Sequence, residues 1–280
     1  MKKLKKILYP VCAVLLLIAI WNVWKIDAST KQTKELYDKL SSQAQAGLDN
    51  KHEGNEQGTD NQENVLQQEA QKDTPSEEEA ESETSLANPW LVELQNQNPE
   101  LTAWLRIPGT VIDYPVMQTK EDNDFYLNHD FEGNENPHGA LFLDVNCQED
   151  SENQIIYGHH MKDGTMFQNL MLYKDPDFCQ ANGIIWYDTP EASTCYQVKF
   201  VMLLSDTDAQ KFPYYKCIDL SDEQIYQGFL KQCSRYAIWS ADSLPDTGTS
   251  LLTLSTCEYS QNDGRLVLVA AETETGESEN

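Results

Sequence analysis

The sequence predicts a mainly β domain, barrel or sandwich, carried on a long polar N-terminal segment. Three observations lead there. Eight short apolar or alternating runs recur between Ala103 and Ala271, nearly all bounded by turn residues such as Pro108-Gly109 and Asn262-Asp263-Gly264. One stretch inside that region, Asp222–Cys233, carries the pattern of a longer helix. The composition also changes near Leu86, from a carboxylate-rich polar tract to a mixture able to build a core.

The N-terminus comes first. Met1-Lys2-Lys3-Leu4-Lys5-Lys6 precedes Ile7–Trp24, eighteen residues without a formal charge, near the lower length for a membrane-spanning helix. Four lysines before it predict that this end stays in the cytoplasm, with Trp21 and Trp24 at the outer interface. A cleaved signal peptide is the competing reading, but Lys25-Ile26-Asp27-Ala28-Ser29 offers no convincing small-x-small site. Residues 1–27 are therefore read as a cytoplasmic tip and single-pass anchor (about 7–24), with the rest of the chain extracellular.

Residues 28–87 read as an acidic, disordered stalk with a helical tendency near Lys34–Ala46. Asp49–Glu83 holds twelve carboxylates and two lysines, too charged and too poor in apolar groups to offset chain entropy. A solvated helical neck is the alternative. On the tether reading, the domain from Asn88 onward is expected to fold and work without this segment.

Residues 88–272 form the domain, about 185 residues and enough for one sizeable core; 273–280 read as a disordered tail. Asn88-Pro89-Trp90 opens a short helix through about Gln97. Strands are expected at Ala103–Ile107, Val111–Met117, Ala140–Asp144, Gln154–Gly158, Gly183–Tyr187, Cys195–Leu204, Ser250–Thr256 and Arg265–Ala271. Short helices are expected at Asp122–Leu127 and Thr165–Tyr173. For Asp222–Cys233, Ser221 is the expected cap, and Ile225, Phe229 and Leu230 are expected to share a face. That helix lies in an insertion, about Asp206–Ser243, of the kind that lines binding sites.

A net charge of −26 argues against nucleic acid as a partner. Of seven cysteines, Cys12 falls in the apolar N-terminal segment. Cys147, Cys179, Cys195, Cys217, Cys233 and Cys257 fall in the domain with no CxxC spacing and no accompanying His pair, so zinc is not indicated. An even count outside the membrane allows a disulfide, but the five other than Cys257 are expected mostly as buried small hydrophobes.

The chemistry centres on Leu252-Thr253-Leu254-Ser255-Thr256-Cys257. An isolated cysteine after an apolar run is commonly structural. Here Ser255, Thr256, Glu258 and Tyr259 surround the thiol with polar groups at a strand end, where substrate can reach it. Arg265 opens the next run after the Asn-Asp-Gly turn and returns towards Cys257; near a thiol its planar guanidinium can hold a developing oxyanion. Gly158-His159-His160 ends an earlier run. In extended chain the two imidazoles face opposite ways, and spacing alone cannot choose between them. Thiol, imidazole and guanidinium together suffice for acyl transfer.

Tyr157-Gly158-His159-His160-Met161, Thr253-Leu254-Ser255-Thr256-Cys257 and Gly264-Arg265-Leu266-Val267-Leu268-Val269-Ala270 together resemble a sortase. Ile112-Asp113-Tyr114-Pro115-Val116, Phe125-Tyr126-Leu127-Asn128-His129-Asp130-Phe131 and the helical insertion before the cysteine strand are similar to class B of that family. The likeness spans about Asn88–Ala271. It implies a closed eight-stranded β-barrel with an N-terminal helix, and a membrane-anchored cysteine transpeptidase of a Gram-positive envelope. Such an enzyme cleaves the C-terminal sorting signal of surface proteins after threonine and transfers the acyl group to an amine of peptidoglycan or its lipid-linked precursor. Carried over, Cys257 is the nucleophile, His159 moves protons, Arg265 clamps substrate and oxyanion, and His160 is a neighbour with no direct role. Ser255, Thr256 and Glu258 are the candidate substrate-groove residues. No cofactor is implied, and no compact carboxylate cluster marks a calcium site. Two rival functions are a secreted cysteine protease without transpeptidation and a non-catalytic envelope-binding module on a stalk.

Overall fold

The computed structural model describes residues 17, 21, 28–49, 87–260 and 263–273. The predicted anchor (about 7–24, save Leu17 and Trp21), residues 50–86 of the predicted stalk and most of the predicted tail lie outside the described residues. Among the described residues no helix is long and apolar enough to cross a membrane.

Among the described residues nine strands form one sheet: β1 (Leu101–Arg106), β2 (Asp113–Met117), β3 (Leu141–Leu143), β4 (Asn153–Tyr157), β5 (Ile184–Asp188), β6 (Ser193–Leu204), β7 (Ala237–Ser240), β8 (Leu251–Glu258) and β9 (Gly264–Glu272). The order β5-β1-β2-β3-β4-β8-β9-β6 closes on itself through β5–β6 pairing, giving an eight-stranded barrel with β7 outside it on β6. β2–β3 and β4–β8 run parallel, and the remaining pairs are antiparallel.

Alternation explains why β6, β8 and β9 read as unbroken apolar runs. Leu252, Leu254, Leu266, Leu268 and Val201 face the barrel core with Trp104 and Ile155. Their sequence neighbours Leu251, Val267, Val269, Phe200 and Met202 face a second core under the insertion. A sheet buried on both faces needs no polar side.

The insertion between β6 and β8 holds α4 (Asp206–Lys211), a 3₁₀ turn (Tyr214–Lys216), α5 (Glu223–Tyr236) and the unforeseen β7. α5 corrects two expectations. Its cap is Asp222, whose Oδ1 accepts from Gln224 N at 2.8 Å and Ile225 N at 3.0 Å. A carboxylate satisfies two orphan N–H groups and also suits the helix dipole, while Ser221 donates to Asp219. The buried face is Tyr226, Phe229, Leu230 and Cys233, with Ile225 57% exposed, one residue off that stripe. Before the barrel, α2 (Pro89–Gln95) begins on the proline expected to open it. A short α3 (Pro176–Ala181) was not anticipated. The helices expected near Leu127 and Tyr173 are 3₁₀ turns, Phe125–Leu127 and Phe167–Lys174.

The largest correction concerns the stalk. Residues 28–49 form a helix, α1, that packs on the barrel rather than standing in solvent. Tyr37, Leu40, Ala44 and Leu48 are buried at helical spacing and join the main core beside Trp90 and Tyr114. Tyr37 stands edge-on to Tyr114 at 5.3 Å. One apolar stripe is enough to dock a helix, and the carboxylates that follow hid it in the average composition. A fragment starting at Asn88 therefore loses part of the core.

Candidate active site

Cys257 and Arg265 are placed by one hairpin. β8 and β9 pair so that Cys257 lies directly opposite Arg265, and residues opposite each other on one face have side chains in contact range. The Arg265 Nη1 donates to the Asp263 and Gly264 carbonyls at 3.2 and 3.0 Å, which ties the guanidinium to its own turn.

His159 arrives from β4 by parallel pairing. Tyr157 is in register with Ser255. Beyond the strand, Gly158 N donates to Ser255 O at 3.2 Å, and Thr256 Oγ1 donates to Gly158 O at 2.7 Å. These bonds carry the chain alongside the end of β8. Gly158 has no room for a side chain: a Cβ would lie 2.5 Å from Leu141 Cδ2 and 2.7 Å from the Phe167 ring. The glycine lets β4 close on that packing and deliver His159 to the cavity.

The acceptor of His159 Nε2 is the Leu127 carbonyl, 2.7 Å away. A carbonyl only accepts, so Nε2 carries a proton and Nδ1 is the nitrogen left for exchange. His160 is held elsewhere. Its Nδ1 donates to the Cys257 carbonyl at 3.0 Å, and its ring stacks on Tyr259 at 4.9 Å.

A cleft of about 400 Å³ is lined by His159, Cys257 and Arg265 together with Ser255 and Thr256, but not by His160 or Glu258. Ser255 spends its hydroxyl on Tyr214 at 2.7 Å. Burial pushes the Tyr214 phenol up, while the bond to Ser255 and the nearby Arg265 pull it down. Glu258 faces the barrel side of β8 with Leu252 and Leu254. There its carboxylate pairs with Lys174 and accepts from Ser260. Burial works to raise that carboxyl, and those bonds outweigh it and hold it below its ordinary value.

Further lining residues were not singled out from the sequence as site residues: Asp206 and Gln210 of α4, Tyr214 and Tyr215, and Asn123 and Leu127. The insertion itself was the signal for the first four. The part played by Leu127 rests on its backbone oxygen, which leaves no trace in residue type.

None of the six described cysteines forms a disulfide. Cys147, Cys179, Cys195 and Cys233 are buried, and Cys217 is half-buried. Burial pushes the Cys147 thiol up to about 12, Cys179 up to about 11, and Cys233 well above its ordinary value. Cys257, half-buried like Cys217, differs in lining a cleft together with an imidazole and a guanidinium.

The sortase domain family matches this chain over residues 105–273. Sortase B of Listeria monocytogenes is 32% identical over 183 residues, covering 64% of this chain and 72% of that protein. Sortase B of Staphylococcus aureus is 33% identical over 186 residues, 65% of this chain and 74% of that one. Among solved structures, a Staphylococcus aureus sortase B–substrate complex is similar with a TM-score of 0.69 and 28% identity, covering 89% of this chain and all of that one. Clostridium perfringens sortase B gives 0.61 and 30%, over 66% of this chain and 100% of that one. With the closed barrel in agreement, the chain belongs to the sortase family, in class B, the cysteine transpeptidases that process a C-terminal sorting signal and transfer the acyl group.

Proposed function

We propose that Cys257, His159 and Arg265 carry the transpeptidation in this chain. The observation behind this is their convergence on one cleft: Cys257 and Arg265 face each other across a hairpin, and His159 is brought alongside by β4–β8 pairing. The Cys257 thiol passes its proton to His159 as its sulfur attacks the carbonyl carbon of the threonine in the sorting signal. The Arg265 guanidinium offsets the charge on the carbonyl oxygen. As the tetrahedral adduct collapses, the peptide C–N bond breaks and His159 gives a proton to the leaving amine. The acyl group is then a thioester on Cys257. An incoming amine attacks it, His159 takes the amine's proton, and the thiolate leaves. A thioester favours an amine over water as acceptor, which supports transfer rather than hydrolysis.

Ser255 and Thr256 shape the cleft floor through their bonds to Tyr214 and Gly158. The proposed donors are surface proteins with a C-terminal sorting signal. The proposed acceptor is an amine of peptidoglycan or its lipid-linked precursor. Four N-terminal lysines ahead of an uncharged eighteen-residue run support a single-pass anchor with a cytoplasmic N-terminus and an extracellular domain. Family membership supports a membrane setting in general. Residues 50–86, with their excess of carboxylates, are the part of the predicted stalk that suits a spacer.

The test uses the full chain in detergent with an Asn-Pro-x-Thr-Asn and Pro-x-Thr-Gly peptide library and an added amine. Mass spectrometry should find an acyl adduct on Cys257 and a ligated product. Cys257→Ala should give neither while keeping the wild-type circular dichroism spectrum. Ligation by the alanine variant, or cleavage without ligation at any amine concentration, would contradict the proposal.

A further inference from the structure

We infer that α1 is a positioning element for the His159 imidazole, acting through Tyr37, Thr33 and the loop of residues 128–140. The inference rests on the role proposed above for His159.

The Leu127 carbonyl that accepts from His159 Nε2 sits in a short irregular turn with no strand to fix it. Its two neighbouring carbonyls are held by one arm of chain. Ala140 N donates to Tyr126 O at 2.9 Å, and Asn136 N donates to Asn128 O at 2.8 Å. The arm lies so close that only glycine fits at its bend. Gly139 has φ +61°, and a Cβ there would lie 2.4 Å from Tyr126 O and 2.7 Å from Leu127 O. The position of the Leu127 oxygen is therefore that of the 136–140 arm.

The other side of the arm is held by α1. Tyr37 Oη donates to Gly139 O at 2.8 Å. Asn136 Nδ2 donates to Thr33 Oγ1 at 2.8 Å, while Asn136 Oδ1 accepts from His138 N at 3.0 Å. Tyr37, Thr33 and Asn136 are all buried, so these bonds are made out of water, where losing one leaves an unmet polar group. The path from helix to imidazole is thus continuous: Tyr37 and Thr33 fix residues 136–139, these fix residues 126–128, and Leu127 fixes the tautomer and direction of His159. Neither α1 residue lines the cleft, so both are positioning residues.

The experiment compares Tyr37→Phe, Thr33→Val and their double variant with Leu40→Ala, in the full chain in detergent. Leu40 lies on the same helix and packs in the core but makes no polar bond to the arm. With selective ¹⁵N-histidine labelling, the His159 Nε2–H resonance should shift and exchange faster with solvent in the first three. The double variant should lose about tenfold in kcat with KM changed less than about twofold, because the imidazole is misaimed and the substrate site is intact. The acidic limb of its pH–rate profile should move. Leu40→Ala should lower Tm and leave the His159 resonance and the pH profile in place. If the double variant does not fold, Thr33→Val alone carries the same readouts. An unchanged His159 resonance and kcat in folded Tyr37→Phe or Thr33→Val, with loss only in Tm, would show that α1 is mere packing. The resonance reports the coupling whether or not His159 is catalytic. Failure of the underlying reading would instead appear as ligation by His159→Ala.

Discussion

The hairpin that presents Cys257 and Arg265 and the arm that presents His159 solve the same positioning task by different means. In the hairpin, two chemical groups eight residues apart are set opposite each other by ladder register alone. His159 needs a parallel strand pairing, a glycine against Leu141 and Phe167, and a carbonyl from residue 127. Local register is robust because a slip would exchange the side chains packed in the barrel core with those packed in the second core, and neither set fits the other's space. A group held by several distant segments depends on all of them, so the imidazole is the more vulnerable half of the site.

The sharpest break in that comparison is to remove each imidazole in turn. His159→Ala should lower kcat/KM about 10²- to 10⁴-fold, the usual contribution of a positioned acid–base group. His160→Ala should cost far less, since its ring bonds the back of residue 257 and stacks on Tyr259 outside the cleft. Steady-state ligation rates on folded variants decide it. A dead His160 variant beside an active His159 variant would invert the assignment.

Arg265→Lys tests the hairpin half. The charge is kept, but an ammonium cannot donate at once to the turn carbonyls of residues 263 and 264 and to substrate in a fixed plane. Loss of one such donor costs roughly 3 kcal/mol in the transition state, about a hundredfold in rate. The fall should lie in kcat more than in KM. A rate near wild type would mean that local register positions Arg265 without giving it an oxyanion role.

The same contrast decides what could be read from the sequence. The eight barrel strands and the Cys257–Arg265 pair were legible because apolar runs and an Asn-Asp-Gly turn are local signals. Closure of the barrel entered through the resemblance, since strand periodicity alone left barrel and sandwich open. The choice between His159 and His160 was likewise open in the residues, because each could face Cys257 until the backbone was in place. The resemblance puts Glu258 in the groove with Ser255 and Thr256, yet its carboxylate is taken up by Lys174 and Ser260 and does not line the cleft. β7 escaped notice as four residues at the end of an insertion. α1 was hidden because four buried residues, Tyr37, Leu40, Ala44 and Leu48, were averaged with the carboxylates that follow them.

The smallest effect is expected where the hairpin receives outside help. Lys174 reaches from the 3₁₀ turn at Phe167–Lys174 to the buried Glu258 carboxylate, one residue past Cys257. If local register suffices to place Cys257, Lys174→Met should change stability and leave chemistry nearly untouched. Removing one partner strands a buried carboxylate, but the Lys174 side chain is 35% exposed and its charge is screened, so about 2 kcal/mol is expected. The sign of the pH dependence follows from the lowered Glu258 pKa. In the folded state the carboxyl holds its proton less tightly than in the unfolded chain. Its contribution is therefore full above the unfolded value, about 4.3, and is lost as pH falls through the lower folded value. Urea denaturation from pH 7 down to pH 3 should show that acid-side loss in the wild type and a smaller one in Lys174→Met. At pH 7 the variant's kcat/KM should stay within about threefold of wild type, because Glu258 does not line the cleft. A loss of a hundredfold in a folded variant would show that the end of β8 is aimed by Lys174, and that thiol and imidazole alike depend on distant segments.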